Sequence, residues 1–176
     1  MAISTHDTGH RWTVADLDDL PDDGQRYEIV DGVLHVSPGP TWRHNTIASR
    51  IARQLEDACP AHLLVVAPAG GLLIPRGYLI ADLAVVDAAV GELEHHAVGP
   101  AQVRLVVEVA SPSTALDDRR DKTRLYAEAA IASYWRVELL PTPRIVVQEL
   151  HDGAYAEVVA GETVRVQAPF PVEVSL

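Results

Sequence analysis

The chain has 176 residues with 48% hydrophobic and 22% charged side chains, which suits one globular domain with a sizeable core rather than a disordered or fibrous protein. Its single cysteine excludes an internal disulfide and indicates a reducing cytoplasm, and no apolar run approaches the ~20 residues that span a bilayer, so no membrane partner is expected. The net charge of −11, from 14 basic and 25 acidic residues, argues against tight, sequence-independent binding of DNA.

The N-terminal region is predicted to contain a leader and a short helix. Residues 1–11 are polar and lack the apolar core of a secretory signal, so we expect a disordered leader followed by a single domain over residues 12–176. A short helix is predicted over residues 12–20, because Thr13 is a favourable N-cap and Asp16 completes a capping box. Pro21 ends this helix.

A hairpin and a longer helix are predicted next. Residues 26–30 and 33–36 are rich in β-formers and flank Asp31-Gly32, a dipeptide typical of two-residue hairpin turns. From residue 41 to 59 the pattern becomes helical. One apolar stripe recurs at spacings of four, four and three, and consists of Ile47, Ile51, Leu55 and Ala58.

Two apolar runs in the middle of the chain each carry one acid. Residues 79–86 read as a buried strand that contains Asp82, and residues 105–109 as a second one that contains Glu108. An ionised carboxylate in an apolar layer costs several kcal/mol unless a cation, a metal ion or hydrogen-bond donors meet it. We therefore treat both acids as candidate functional residues.

The C-terminal half is predicted to contain one helix and several antiparallel strands. The helix covers about residues 116–130, and Lys122 lies on its apolar face with Tyr126 and Ala129, which is unusual for a surface lysine. Strands are expected at residues 134–137, 144–150 and 155–159, and the tail from residue 163 is broken by prolines as in an edge segment. The fold class is therefore α/β, with a mixed sheet core.

The two acids and the lysine together predict a metal-dependent phosphodiesterase site. Mg²⁺ prefers oxygen ligands and retains several waters, so one or two carboxylates and a backbone carbonyl are enough to bind it. Asp82 and Glu108 supply the carboxylates, the carbonyl of Val109 a third ligand, and Lys122 a cation that orients water or stabilises charge on the phosphate. Mn²⁺ is a possible substitute for Mg²⁺.

Structural roles for the same residues remain open at this point. Asp82 could cap a turn or pair with an arginine, and Glu108 could be a core acid bonded to Lys122 or Tyr126 without any metal. Asp118 and Lys122 are spaced for a favourable i,i+4 ion pair, worth ~0.3–0.5 kcal/mol.

The succession of motifs is similar to the family named "putative restriction endonuclease", within the PD-(D/E)XK nuclease superfamily. The motifs are Tyr27-Glu28-Ile29-Val30-Asp31-Gly32, His44 at a helix start, Ala81-Asp82-Leu83-Ala84-Val85-Val86, Leu105-Val106-Val107-Glu108-Val109-Ala110-Ser111-Pro112-Ser113-Thr114, Asp121-Lys122-Thr123-Arg124-Leu125-Tyr126 and Tyr134-Trp135. The resemblance runs from about residue 12 to the C-terminus. It implies a restriction-endonuclease-like fold, a mixed sheet of about four or five strands flanked by helices.

The resemblance also implies roles for individual residues. Asp82 matches the metal-binding aspartate of the superfamily and Glu108 its second acid. Ala110 stands where the superfamily carries its usual lysine, and Lys122 matches the lysine that takes that role from the following helix. Glu28 matches an acid beside the metal, and His44 a helix residue that faces the site.

Two positions depart from the pattern of the family. Ala81 replaces the proline that begins the motif, and Ser133 stands where relatives carry an acid before Tyr-Trp. Neither position supplies a ligand, so the predicted site is complete.

Other candidates are weaker. His95-His96 lack a third metal ligand and read as a solvated loop, and Ser111, Ser113 and Thr114 read as a helix cap rather than as nucleophiles. The tryptophans Trp12, Trp42 and Trp135 are interpreted as core or interface anchors rather than as base-stacking platforms.

Three functions are carried forward from the sequence. The first is a Mg²⁺-dependent DNA endonuclease, expected by analogy to act as a homodimer because two strands require two sites. The second is a nuclease-fold protein that binds a partner without efficient cutting, which the charge of −11 favours. The third, a two-carboxylate glycosidase, is disfavoured by the 5% aromatic content.

Overall fold

Within the described residues the strands form three sheets, and one of these sheets contains the N-terminal hairpin. The computed structural model describes residues 3–4, 9–92, 97–110 and 116–176, with the side chains of residues 3–4 and 116–121 left aside. The helices are α1 (Trp42–Ala58) and α2 (Leu116–Glu128). The strands are β1 (Ile3–Ser4), β2 (Arg26–Val30), β3 (Val33–Ser37), β4 (Leu63–Val66), β5 (Gly71–Ile74), β6 (Gly77–Ile80), β7 (Leu83–Asp87), β8 (Ala97–Val98), β9 (Val103–Val109), β10 (Ser133–Glu138), β11 (Arg144–His151), β12 (Ala154–Gly161), β13 (Thr163–Val166) and β14 (Val172–Ser175). Short 3₁₀ helices cover Val14–Asp19, Ala88–Glu92 and Pro100–Gln102.

The N-terminal sheet is built on the predicted hairpin. Its order is β1-β3-β2-β6-β5-β8. Asp31 and Gly32 both have positive φ, 56° and 80°, as a two-residue hairpin turn requires, so the hairpin prediction is confirmed. Within the range expected to be a disordered leader, β1 pairs with β3. The predicted capping box also forms, because the backbone N–H of Thr13 donates to the Asp16 carboxylate at 2.6 Å.

The central sheet has the mixed character that was predicted. Its order is β12-β11-β10-β9-β7-β4, with β9 and β10 parallel and all other neighbours antiparallel. It contains six strands rather than four or five, because β4 and β12 extend it at both edges. The α/β class with an N-terminal hairpin and C-terminal antiparallel strands is confirmed.

The apolar run at residues 79–86 is not one strand. β6 ends at Ile80 in the N-terminal sheet, and β7 begins at Leu83 in the central sheet. Ala81 and Asp82 lie between them, and both are buried. The prediction of Asp82 within a strand is therefore wrong, because a continuous apolar run does not reveal where a buried chain passes from one sheet to another.

Each face of the central sheet packs against one helix. Ile51 and Leu55 of α1 pack with Trp135 on one face, whereas Leu125 and Tyr126 of α2 lie in the core of the other face. The predicted α1 stripe is correct for its middle residues, while Ile47 is half-buried and Ala58 exposed. The tail forms its own two-stranded sheet, β13 and β14, and β14 contacts α1. No helix among the described residues is long and apolar enough to cross a bilayer.

Candidate active site

The predicted site residues converge where the two large sheets meet. Glu28 comes from β2, Asp82 from the bend before β7, and Glu108 from near the end of β9. His44 lies in the first turn of α1, and Lys122 lies in α2. Elements that are distant in sequence thus bring all five side chains to one region. His44 contacts Asp82 in one group, and Lys122 contacts Glu28 and Glu108 in the other.

Asp82 lies at the centre of the first group. Its side chain is buried, and its Oδ2 accepts a hydrogen bond from the Val109 N–H at 2.8 Å and lies 2.8 Å from Nε2 of His44. Nη2 of Arg26 lies 2.7 Å from Oδ1 of Asp82 and forms an ion pair with it. Burial raises the pKa of Asp82, but His44 and Arg26 outweigh it, so the pKa lies below its usual value and the carboxylate is ionised.

His44 is positioned by the start of α1. Thr41 is the N-cap, and its side chain accepts a hydrogen bond from the His44 N–H at 3.3 Å, which fixes the first helical turn. Burial lowers the pKa of His44, but its hydrogen bond to Asp82 and the negative charge there raise it more, and the net pKa is above the usual value. The protonated imidazole is therefore favoured as a donor to Asp82.

Glu108 lies at the centre of the second group. Its Oε1 accepts hydrogen bonds from the Tyr126 hydroxyl at 2.6 Å and from Lys122 Nζ at 3.2 Å. Burial raises the pKa of Glu108 to about 7, against the lowering effect of Lys122 and with further raising by the charges of Asp82 and Glu28. The carboxyl thus titrates near neutrality because it lies among other acids in a dry environment.

Lys122 joins Glu28 to Glu108. Its Nζ lies 2.9 Å from Oε1 of Glu28, which also accepts a hydrogen bond from the Ile80 N–H at 2.9 Å. Only 13% of the Lys122 side chain is exposed, so the prediction that it points along the apolar face of the helix is confirmed. The side chain of Asp118, the alternative partner of Lys122, lies outside the described residues.

The end of the β7–β9 ladder brings Asp82 near Glu108. Leu83 pairs with Val107 at the end of this ladder, so Asp82 lies directly beyond it, and Oδ2 of Asp82 accepts from the N–H of Val109, the residue after Glu108. Ala110 N–H donates to the carbonyl of Val137 on one side of β9, whereas Val109 N–H donates to Asp82 on the other. Because the N–H and C=O of one strand residue face the same edge, the Val109 carbonyl also faces the Asp82 edge.

The comparisons with known proteins agree with this architecture. The family described as "Uma2: Putative restriction endonuclease" matches residues 14–176. The chain belongs to this family. A crystal structure described as "a putative nuclease belonging to DUF820", from Anabaena variabilis ATCC 29413, is similar with a TM-score of 0.69 and 12% identity, over 90% of this chain and 89% of that chain. At such low identity the likeness shows the shared fold alone. No curated protein matches the chain.

A divalent cation in this Uma2 site would need carboxylate and carbonyl oxygens as ligands. Oδ1 of Asp82 is paired with Arg26 at 2.7 Å, and the described residues give Oε2 of Glu108 no hydrogen bond. Glu108 thus retains one acceptor, Asp82 offers an oxygen that is paired with Arg26, and the Val109 carbonyl faces the Asp82 edge. No group of three or more His, Cys, Asp and Glu side chains in the described ranges could hold a metal ion. The donors present, two carboxylates and one carbonyl, could serve only a cation such as Mg²⁺ that retains most of its waters, and they do not form an all-protein cage.

Two residues of the Uma2 site were missed or undervalued by the sequence reasoning. Arg26 was not predicted, although it is two residues from Glu28 and so lies on the same face of β2. Tyr126 was considered only as a structural partner of Glu108, and its hydroxyl forms the shortest of the hydrogen bonds given above for Glu108. The alternation of Arg26 and Glu28 in a hairpin strand was the available signal. His95, His96 and residues 111–115 lie outside the described residues.

Proposed function

We propose that this protein is a Mg²⁺-dependent DNA endonuclease that hydrolyses phosphodiester bonds with an activated water, with Mn²⁺ as a possible substitute. The observation that carries the proposal is the largely buried pair of carboxylates, Asp82 and Glu108, where Oδ2 of Asp82 accepts from the N–H of Val109, the residue after Glu108, and Oε2 of Glu108 accepts no hydrogen bond within the described residues. Lys122 beside Glu108 supports it. Membership of a restriction-endonuclease family supports the same reaction class.

In this proposal Asp82, Glu108 and the Val109 carbonyl hold the ion. When bound, Mg²⁺ supplies positive charge that lowers the pKa of a water nucleophile and neutralises charge that develops on the phosphate. The electrostatics of the chain favour a cation there, because burial and, after it, the charges of Asp82 and Glu28 raise the pKa of Glu108 in spite of Lys122. Two like charges in a buried site destabilise each other until a cation neutralises them.

The side chains of the protein have separate roles in this mechanism. Lys122 holds its ammonium group 3.2 Å from Oε1 of Glu108, and in this proposal it orients water or stabilises phosphate charge there. Glu28 positions Lys122 through the 2.9 Å ion pair. His44 and Arg26 position Asp82, and we assign them no contact with the reacting atoms.

A nuclease-fold binding protein without efficient cutting is the second candidate. Arg26 and Lys122 already neutralise Asp82 and Glu108 from within the protein, so the carboxylates do not require a metal ion for stability. The net charge of −11 also favours this alternative over a nuclease that binds DNA tightly.

Plasmid cleavage separates the two candidates. We expect supercoiled plasmid to be nicked by the wild type with Mg²⁺ or Mn²⁺, and Glu108→Ala and Lys122→Ala to lose at least about 100-fold of this activity, as removal of one stabilising group costs in other enzymes. Glu173→Ala, which removes an exposed carboxylate paired with Arg165, is the matched control and should cut normally. Equal residual cleavage in all variants would assign the activity to a contaminant.

Metal binding gives a readout that does not depend on cleavage. Calorimetric titration with Mn²⁺ should show heat for the wild type and for Glu173→Ala, and none for Asp82→Asn. A wild type that binds no ion and cuts no plasmid would support the binding-protein alternative. A homodimer with two such sites is part of the proposal, and analytical ultracentrifugation with and without duplex DNA tests it.

A further inference from the structure

Trp42 is unusually exposed for a tryptophan. Its relative exposure is 90%, whereas Trp135 is fully buried in the central sheet and Trp12 is half-buried against the ring of His10. The tryptophans were interpreted as core or interface anchors. Its exposure excludes Trp42 as a core anchor and leaves the role of an interface anchor. Tryptophan is enriched at binding surfaces, where its ring supplies apolar contact area, so Trp42 is a candidate contact residue for a partner.

The helix that begins with Trp42 also carries arginines that the protein does not use internally. Arg43, Arg50 and Arg53 are exposed, and they form no ion pair within the described residues. Eight other basic residues there do form ion pairs, namely Arg26, Arg76, Arg104, Lys122, Arg124, Arg136, Arg144 and Arg165. Three positive charges are thus available to an external anion.

The sequence from the hairpin turn to near the end of α1 lacks acids, and the acids of α1, Glu56 and Asp57, lie in its last turn. No Asp or Glu occurs from residue 32 to residue 55, although the chain as a whole carries 25 acids. The outer surface of α1 formed by Trp42, Arg43, Arg50 and Arg53 is called the α1 basic face below. It is a locally positive surface on an acidic protein, and such a local surface can bind a polyanion that the net charge would repel.

The α1 basic face begins at the candidate active site. His44, two residues after Trp42, points from the inner side of the same helix to Asp82 at 2.8 Å. From Arg43 to Arg53 the helix rises ~15 Å, at about 1.5 Å per residue. That length corresponds to about four nucleotides of one strand at ~3.4 Å each. A strand that lay along α1 would therefore reach its first turn, whose inner residue His44 contacts Asp82.

We propose that the α1 basic face binds the backbone of a nucleic-acid strand, with Trp42 stacked on a base next to the bond that is cut. This inference rests on the proposed nuclease function. Arginine is suited to phosphate oxygens, and base–aromatic stacking tolerates any sequence. A second copy of this chain is the competing occupant, and the site at one end of the face favours nucleic acid over it.

Binding measured without metal tests the charged part of the proposal. The probe is a fluorescein-labelled 20-nucleotide DNA, single-stranded or duplex, followed by anisotropy in EDTA at several salt concentrations. The triple variant Arg43→Gln, Arg50→Gln, Arg53→Gln should bind at least tenfold more weakly, and the slope of log K against log salt should fall by about two to three. The matched control is Arg104→Gln, Arg144→Gln, Arg165→Gln, which removes the same charge from exposed ion pairs and should bind nearly as the wild type does.

Tryptophan substitution tests the stacking part. Trp42→Ala should bind the single strand about tenfold more weakly, and Trp42→Phe should recover most of that loss because a ring still stacks. DNA should quench the tryptophan fluorescence of the wild type but not that of Trp42→Ala. Circular dichroism of each variant shows whether α1 is intact, which is expected because the substituted side chains are exposed.

The outcomes separate this inference from the proposed function. Plasmid cleavage and DNA binding that are unchanged in the triple variant would overturn the α1 basic face while leaving the nuclease intact. Binding through α1 without cleavage by the wild type would overturn the nuclease instead. A wild type that does not bind either probe, or a Trp42→Ala variant that changes only from dimer to monomer in ultracentrifugation, would also overturn the nucleic-acid assignment.

Discussion

Nε2 of His44 lies 2.8 Å from Oδ2 of Asp82, and this contact ties the first turn of α1 to the bend between the two large sheets. Both side chains are buried, with 10% of the His44 side chain and 2% of the Asp82 side chain exposed. The pKa of His44 is raised and that of Asp82 is lowered, so each group favours the charged form of the other. The contact therefore acts as a structural joint as well as part of the candidate site.

Removal of this imidazole should destabilise the protein. In His44→Ala, Oδ2 of Asp82 keeps only its hydrogen bond from the Val109 N–H, and the buried charge of Asp82 loses a partner. We therefore expect the free energy of unfolding to fall by about 1–3 kcal/mol. Urea denaturation at pH 6.5 measures the change. His35→Ala, at a half-buried position of β3, is the control and should have a smaller effect. Equal losses in the two variants would show that the contact with Asp82 contributes no particular stability.

The hydroxyl of Tyr126 should matter for function more than for stability. Tyr126→Phe keeps the buried ring and removes only the 2.6 Å hydrogen bond to Glu108, so we expect a loss of about 1 kcal/mol in unfolding free energy. Because Glu108 then loses one of its two positioning partners, plasmid nicking should fall about tenfold or more. Tyr155→Phe, which removes a hydroxyl bonded to the Ile131 carbonyl, is the control, and its nicking rate should equal that of the wild type.

The residues that the sequence identified correctly are those whose chemistry conflicts with their surroundings. Glu108 in an apolar strand and Lys122 on an apolar helix face are locally unfavourable, and both lie in the candidate site. Local turn chemistry was equally informative, since Asp31-Gly32 defines the hairpin. Such signals come from one segment at a time, so they do not depend on knowing the tertiary structure.

The features that the sequence did not reveal depend on contacts between distant segments. One apolar run contains both β6 and β7. The run is divided near Asp82 because β6 belongs to the N-terminal sheet and β7 to the central sheet. Arg26 was missed because its partner, Asp82, is 56 positions away in the sequence. The exposure of Trp42 could not be predicted either, because a tryptophan at a helix start is buried or exposed according to what packs over it.

Gly77 is predicted to be essential for the junction that carries Asp82. Its φ is 150°, and a Cβ at this position would overlap the Ile29 carbonyl of β2. Gly77→Ala should therefore lower the unfolding free energy by about 2 kcal/mol or more, and weaken the pairing of β2 with β6. Gly153→Ala is the matched control, since its φ of 82° is strained but nothing lies near the added methyl, and it should cost about 1 kcal/mol. Thermal unfolding of both variants measures the difference, and equal melting temperatures would argue against a close approach at Gly77.

Glu108 should make the metal-free protein less stable as the pH rises. Its pKa is about 7 in the folded protein and about 4.3 in an unfolded chain, so the folded state binds this proton more tightly. The stability that this proton contributes is complete below about pH 4 and is lost as the pH rises to about 7. Thermal unfolding in EDTA should therefore show Glu108→Gln gaining on the wild type between pH 5 and pH 8. The cause is that glutamine carries no charge that must be buried beside Asp82 and Glu28.

Addition of Mg²⁺ should reverse this difference. At pH 8 we expect Mg²⁺ to raise the melting temperature of the wild type, because an ion that binds only the folded state stabilises it by mass action. Glu108→Gln should show a smaller shift, since one of the two charged ligands is gone. A wild type whose stability does not fall between pH 5 and pH 8 in EDTA would mean that Lys122 and Tyr126 compensate the Glu108 charge fully. In that case the carboxylate pair would have no electrostatic need of a cation, and the binding-protein alternative would gain.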